Sequence, residues 1–235
     1  MLFAGGMLVT GSANAINQVV EKDTDALMKR TAKRPVASGR MSVTEGWIFS
    51  IATGALGVFI LGNYFNWLAA GLAAFSLFLY AFIYTPLKKV NSIAVLVGAV
   101  PGALPCLIGW AAGDANLTIG GWVLFAFQFF WQFPHFWAIA WVAHKDYSTA
   151  GFKLLPADKG PTKFTALQTI MYSLLLIPVT LAPYFVGMCS YNDTQGIISL
   201  VLIGLANVFM VGRCVTLYKK MDVGSARQVM FGSYM

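Results

Sequence analysis

The run Asn14-Ala-Ile-Asn17-Gln-Val-Val-Glu21-Lys-Asp23-Thr-Asp25 closes an apolar segment spanning residues 1–20, and its reading decides the fold. An apolar helix has no packing use for amides and carboxylates gathered at its end. At helical spacing Asn17, Glu21 and Asp25 stand at i, i+4 and i+8, on one slowly drifting face. Asn14 lies one turn earlier, and amides on that side point inward to a cavity or partners. Such a face offers hard oxygen ligands of the kind Mg²⁺ takes together with water and phosphate oxygens. Asp23 points elsewhere on an ideal helix and is kept as a substrate-contact candidate. Lys29, Arg30, Lys33 and Arg34 follow at once. A carboxylate face beside a basic loop predicts a site for a metal-bound diphosphate at a membrane surface.

The rest of the chain supports the membrane reading. It is 58% hydrophobic and 11% charged, with mean hydropathy +0.69, outside the range of soluble domains. Apolar stretches fall near residues 1–20, 47–62, 67–85, 92–112, 118–143, 166–187 and 196–217, several approaching the ~20 residues a helix needs to cross a bilayer. The expected fold class is therefore all-α, a polytopic transmembrane bundle with about seven helices. All 16 Lys and Arg fall after the first, third and fifth stretches or at the end of the chain from Arg213 onward. The opposite loops, around Gly62–Asn66, Gly113–Asn116 and Met188–Gln195, hold none. The positive-inside rule places the basic side in the cytoplasm or its equivalent. The net charge of +7 is thus read as topology, with no nucleic-acid partner. Cys106, Cys189 and Cys214 show neither metal spacing nor a disulfide framework and read as small packing residues.

Two long polar loops, residues 21–46 and 144–164, share the basic side. Pro35 biases Arg34 away from helix and Gly39 marks a turn, which predicts a lip-like loop. Asp146 ends the fifth apolar stretch on the same side. With Asn17, Glu21 and Asp25 it completes the expected metal and catalytic set, and Lys145 supplies a neighbouring point cation. Tyr84-Thr-Pro-Leu-Lys88-Lys89 contributes Tyr84 and Lys88 as candidate substrate contacts. Two readings of the lysines stay open, topology and diphosphate contact. His135, deep among Phe133, Phe136 and Trp137, either satisfies a carbonyl or meets a flat or metal-bearing acceptor. Pro101 and Pro105 predict a bend in their helix, with or without a function.

These residues resemble the UbiA superfamily of intramembrane prenyltransferases, in its heme-farnesylating branch. The matching segments are Asn14 to Pro35, Tyr84-Thr-Pro-Leu-Lys88, Val97-Gly-Ala-Val-Pro-Gly-Ala-Leu-Pro105 with Gly109-Trp110, and Phe133-Pro-His135-Phe-Trp-Ala-Ile-Ala with Lys145-Asp146-Tyr147. The superfamily's Asn-x₃-Asp-x₃-Asp motif maps onto Asn17, Glu21 and Asp25, with glutamate in the middle place. Its second motif, Asp-x₃-Asp, survives only as Asp146, because Ala150 stands in the later position.

The resemblance implies nine helices around a cavity, so one single integral-membrane domain over residues 1–235, truncated at both ends, is expected. It implies Mg²⁺ as cofactor, held by Asn17, Glu21, Asp25 and Asp146, with Asp23, Arg34, Tyr84, Lys88, His135 and Lys145 contacting substrates. Farnesyl diphosphate and heme B are the implied substrates, in a lipid bilayer, with heme A synthase or cytochrome oxidase assembly factors as candidate partners. The expected location is a bacterial inner (cytoplasmic) membrane, with the site open to the cytoplasm. The alternatives are prenyl transfer to an aromatic quinone or chlorin precursor and, in a different class, a membrane transporter. Transport sites are expected near mid-membrane at repeat junctions, whereas these carboxylates stand at helix ends on one side.

Overall fold

The computed structural model describes residues 1–156, 160–190 and 192–234, and among them all regular structure is helical. Lys159, one of the basic residues behind the topology reading, lies outside the described residues. In chain order the helices are α1 (Leu2–Val20), α2 (Lys22–Leu27), α3 (Val43–Tyr64), α4 (Trp67–Phe78), a π-helical segment (Leu79–Tyr84), α5 (Thr85–Leu87), α6 (Ala94–Asp114), α7 (Ile119–Val142), α8 (His144–Thr149), α9 (Lys163–Phe185), α10 (Thr194–Lys220) and α11 (Val223–Gly232). The expected seven long helices correspond to α1, α3, α4 through α5, α6, α7, α9 and α10. Five segments, Val43–Tyr64, Trp67–Leu87, Ala94–Asp114, Lys163–Phe185 and Thr194–Lys220, are long and apolar enough to cross a membrane. The other two, α1 and α7, carry the buried polar side chains Ser12, Asn17, Gln132 and His135, which lowers their apolarity without shortening them. The protein is an integral membrane protein.

The chain divides into two compact units. The first comprises residues 1–117 and 145–154. Within it α1 lies antiparallel against α3 at a separation that only small residues permit. A Cβ on Gly46 would meet Val19, one on Gly54 would meet Ser12 Oγ at 2.7 Å, and one on Gly57 would meet the Gly5 carbonyl at 2.9 Å. Ser12 Oγ donates to Ser50 O at 2.7 Å across the same seam. The start of α3 is set by a reciprocal capping box, Ser42 with Glu45, so the helix begins before the apolar run does. Asn66 caps α4 through Ala69 N and also donates to Ala111 O of α6 at 2.6 Å.

Pro101 and Pro105 sit inside α6, which is helical from Ala94 to Asp114. Pro105 cannot donate to Pro101 O, its i−4 carbonyl, and Ser76 Oγ of α4 supplies a hydrogen bond there at 3.3 Å. A neighbouring hydroxyl thus re-satisfies the group that proline frees. The π segment precedes Pro86. Widening the turn there relieves the proline's clash with the preceding carbonyls. Thr85 donates both its N–H and its Oγ1 (2.8 Å) to Tyr80 O.

The second unit comprises residues 118–144 and 155–235. Here α9 packs between α7 and α10, and α11 packs on both α7 and α10. The core joins Ala138, Trp141, Ala166, Met210, Cys214, Leu217, Ala226 and Val229. Polar pairs bridge α9 and α10: Ser173 with Cys214 at 3.2 Å, and Asn207 Nδ2 donating to Thr180 Oγ1 at 2.8 Å. The three cysteines are free thiols.

Candidate active site

In the first unit the end of α1 organises the site. The helix breaks at Glu21 (φ −100°, ψ 16°) and α2 resumes at Lys22. The backbone bonds Glu21 N to Asn17 O (2.9 Å) and Asp25 N to Glu21 O (2.7 Å) nevertheless keep the i, i+4 spacing. The uninterrupted face expected from spacing is therefore divided between two pairings. Asn17 Nδ2 donates to Glu21 Oε2 at 2.9 Å. Asp25 turns to the loop that follows and accepts both contacts of Arg34 Nη1, at 3.0 and 2.8 Å. Thr31 Oγ1 donates to Asp25 O at 2.9 Å, tying the same loop to α2. Asn17, Glu21 and Asp25 are all buried. Asp23 is exposed, and so is Asn14, which spacing had placed on the inward side.

The π segment and α5 bring Lys88 onto this pair. Its ammonium donates to Asn17 Oδ1 at 2.8 Å and lies 2.5 Å from Glu21 Oε1. Asn17 is thereby oriented, its amide nitrogen towards a carboxylate and its oxygen towards an ammonium. Lys88 is buried rather than reaching water, so topology alone does not account for it, whereas Lys89 is exposed. Burial holds the Lys88 ammonium below its usual pKa, opposed by the charges of Glu21 and Asp25. The ammonium stands over the rings of Tyr84 (4.9 Å) and Phe152 (5.5 Å). A Cβ at Gly98 of α6 would fall 2.5 Å from Tyr84 Cε2, so glycine there is what allows the ring its place.

Residues 145–154 complete the candidate site within this unit. Lys153 N donates to Lys88 O at 2.8 Å. Met28, Ala150 and Phe152 form a buried apolar cluster flanked by Tyr147 and Leu154. Ala150, which stands where the family's second motif has an acid, is thus a packing residue. Arg30 Nη2 donates to Tyr147 Oη at 3.1 Å. Asp146 is half-buried in the first turn of α8 and Lys145 is exposed. Among the described residues no hydrogen bond or ion pair engages the side chain of either.

His135 belongs to the second unit, on α7. Its Nδ1 lies 2.7 Å from Ser233 Oγ, and its ring stacks on Trp131 at 4.9 Å and meets Tyr234 edge-on. Trp131 Nε1 donates to Ser233 O at 2.7 Å. Ser233 and Tyr234 follow α11. Sequence reasoning missed them, because nothing in Phe231-Gly-Ser-Tyr234 signals a partner for a distant histidine. Phe152 was missed also; an aromatic shortly after Asp146 was the available signal.

The donor set at the end of α1 suits Mg²⁺. Asn17, Glu21 and Asp25 supply hard oxygens, and Glu21 Oε1 is enclosed with no hydrogen bond beyond its ion pair with Lys88. Among the described residues, no three of His, Cys, Asp and Glu already gather closely enough to hold a metal ion. Each buried carboxylate is instead neutralised by a cation, Lys88 or Arg34.

Comparison with known proteins gives a consistent picture. A profile described as the UbiA prenyltransferase family matches residues 1–234. The chain is 43% identical over 235 residues to a protein from Cytophaga hutchinsonii named protoheme IX farnesyltransferase, covering 100% of this chain and 80% of that one. A protein of the same name from Flavobacterium johnsoniae is also 43% identical, covering 99% and 76%. One from Beijerinckia indica is 37% identical, covering 94% and 68%. Among solved structures, a UbiA homolog from Archaeoglobus fulgidus bound to GPP and Mg²⁺ matches with TM-score 0.69 at 15% identity, over 99% of this chain and 85% of that one. That last likeness speaks for the fold.

Proposed function

The chain belongs to the UbiA prenyltransferase family and is a membrane prenyltransferase; from that premise we propose that it transfers the farnesyl group of farnesyl diphosphate to a vinyl group of heme B, giving heme O. The observation that carries the site assignment is the buried Asn17–Glu21–Lys88 cluster beside Asp25–Arg34. The acceptor rests on the three relatives named protoheme IX farnesyltransferase.

Asn17, Glu21, Asp25 and Asp146 are assigned as the residues that hold Mg²⁺. When bound, the ion supplies charge stabilisation for the departing diphosphate. Lys88 and Arg34 turn from their carboxylates to the diphosphate oxygens, with exposed Lys145 adding positive charge. Tyr84 and Phe152 give an apolar wall that keeps water from the reacting carbon, and Asp23 serves substrate entry from the exposed side of α2. The C1–O bond of farnesyl diphosphate breaks heterolytically and the diphosphate leaves with the electron pair. The terminal vinyl carbon then bonds to the allylic cation at C1. Water adds to the carbon next to the porphyrin and loses a proton, leaving a hydroxyethylfarnesyl group. Residues 1–235 act as one catalytic domain, with the basic loops and the site facing the cytoplasm of a bacterial inner membrane. Heme A synthase or cytochrome oxidase assembly factors are the partners suited to receive the product.

The test uses membranes containing the protein, supplied with heme B, farnesyl diphosphate and Mg²⁺, with EDTA as control. A Mg²⁺-dependent farnesylated and hydrated heme in the mass spectrum is the expected result. Folded protein that makes no such product but prenylates an aromatic quinone precursor would move the acceptor to that class.

A further inference from the structure

The hydrogen bonds around His135 determine which of its nitrogens is free. Ser233 Oγ lies 2.6 Å from Met230 O and 2.7 Å from His135 Nδ1. A carbonyl oxygen only accepts, so the single hydroxyl proton of Ser233 goes to Met230. His135 Nδ1 must then be the donor to Ser233 Oγ. In the neutral ring this leaves the lone pair on Nε2. Trp131 Nε1 donates to Ser233 O and thereby holds the serine in place beside α7.

Besides Ser233, the backbone of Met230 hydrogen-bonds the ring, and among the described residues no partner is seen at Nε2. It is not sealed off either, because Glu21 Oε1 is the one enclosed side-chain nitrogen or oxygen there that lacks a hydrogen bond. His135 is 5% exposed, and its ring is clamped between Trp131, stacked at an interplanar angle of 15°, and Tyr234, at 70°. A buried imidazole whose Nδ1–H is anchored on an oxygen and whose Nε2 is free has the arrangement of a metal-ligating histidine, in which the second partner sets tautomer and ring orientation.

We infer that His135 Nε2 is an axial ligand to the iron of the porphyrin acceptor, and that Ser233 positions it by fixing the tautomer. The inference rests on the heme reading above. Coordination involves donation of the Nε2 lone pair to iron, with no bond broken in the protein and no electron transferred. Within the second unit this assigns the buried, clamped imidazole a function that packing alone would not require.

The experiment titrates the purified full chain in lipid nanodiscs with heme B and, in parallel, with metal-free protoporphyrin IX, reading Soret absorbance and the resonance Raman iron–histidine stretch. The wild type is expected to give an imidazole-ligated spectrum. His135→Gly should bind heme B about tenfold or more weakly, bind metal-free protoporphyrin unchanged, and regain the ligated spectrum on addition of free imidazole. Ser233→Ala should retain ligation with a shifted iron–histidine stretch, a change that a merely structural serine would not produce. A wild-type spectrum identical to that of His135→Gly, in protein that still farnesylates heme, overturns this inference and leaves the acceptor assignment standing. Folded wild type that neither binds nor farnesylates heme overturns both.

Discussion

The Lys88 ammonium stands 2.5 Å from the Glu21 carboxylate, with both side chains almost wholly buried. It ties the end of α1 to the π segment and α5, and it links fold to chemistry. Two charges are held out of water, and in the proposed function a diphosphate claims one of them. Lys88→Ala leaves Glu21 buried without its partner and is expected to cost about 3–5 kcal/mol of stability. Lys88→Met with Glu21→Gln should recover most of that loss while remaining inactive. Thermal melting in detergent, paired with a turnover assay, separates the two effects; a double variant as unstable as Lys88→Ala would contradict the pairing.

Arg34 makes a different prediction because its side chain is one-third exposed while Asp25 is fully buried. Water can enter when the guanidinium is removed, so Arg34→Ala should destabilise less than Lys88→Ala. If Arg34 serves the diphosphate as proposed, kcat/KM for farnesyl diphosphate should fall by about 10²–10³-fold, the usual cost of removing one charge-stabilising donor. Asp25→Ala should abolish turnover while the protein remains in the membrane. Near-normal turnover in either variant would remove that residue from the site.

The seven long helices were legible because bilayer length and apolarity leave few alternatives, and predicted ends fell within a few residues of those observed. Caps explain much of the remainder: Ser42 and Glu45 start α3 before its apolar run, and Asp193 starts α10 through Gly196 N. Within the candidate site, spacing put Asn17, Glu21 and Asp25 on one face, and all three are buried. It could not reveal the break at Glu21, because the i, i+4 backbone bonds persist across it. The pairing of Asp25 with Arg34 depends on how residues 28–41 fold, including the positive φ of 75° at Gly39, which no periodicity encodes. Helix α11 was illegible for another reason. Its apolar residues are few and interrupted by Arg227 and Gln228, so it reads as a tail until its packing on α7 is seen.

The α1–α3 seam supplies a stability test remote from the chemistry. Gly57→Val would drive side-chain atoms into the Gly5 carbonyl and Val9, an overpacking expected to cost about 1–3 kcal/mol. Gly6→Ala, where a Cβ meets nothing within 4 Å, should melt within a degree or two of wild type. Equal melting temperatures for the two variants would mean that the helices do not approach as described.

Gly98→Ala tests the seat of Tyr84. The new methyl would stand 2.5 Å from Tyr84 Cε2 and 2.6 Å from Cδ2, so the ring must leave its place beneath the Lys88 ammonium. The chain around Gly98 is helical and alanine suits a helix better than glycine; any loss therefore comes from the ring's displacement, not from the backbone. Stability should change little, because gained propensity offsets part of the repacking. Activity should drop more steeply, since Lys88 loses the aromatic face that directs it towards Asn17 and Glu21. The companion variant Tyr84→Leu removes the ring without the clash. If displacement of Tyr84 is the cause, Gly98→Ala made in the Tyr84→Leu background should add no further loss of turnover. A full additional loss there would show that Gly98 acts through another neighbour.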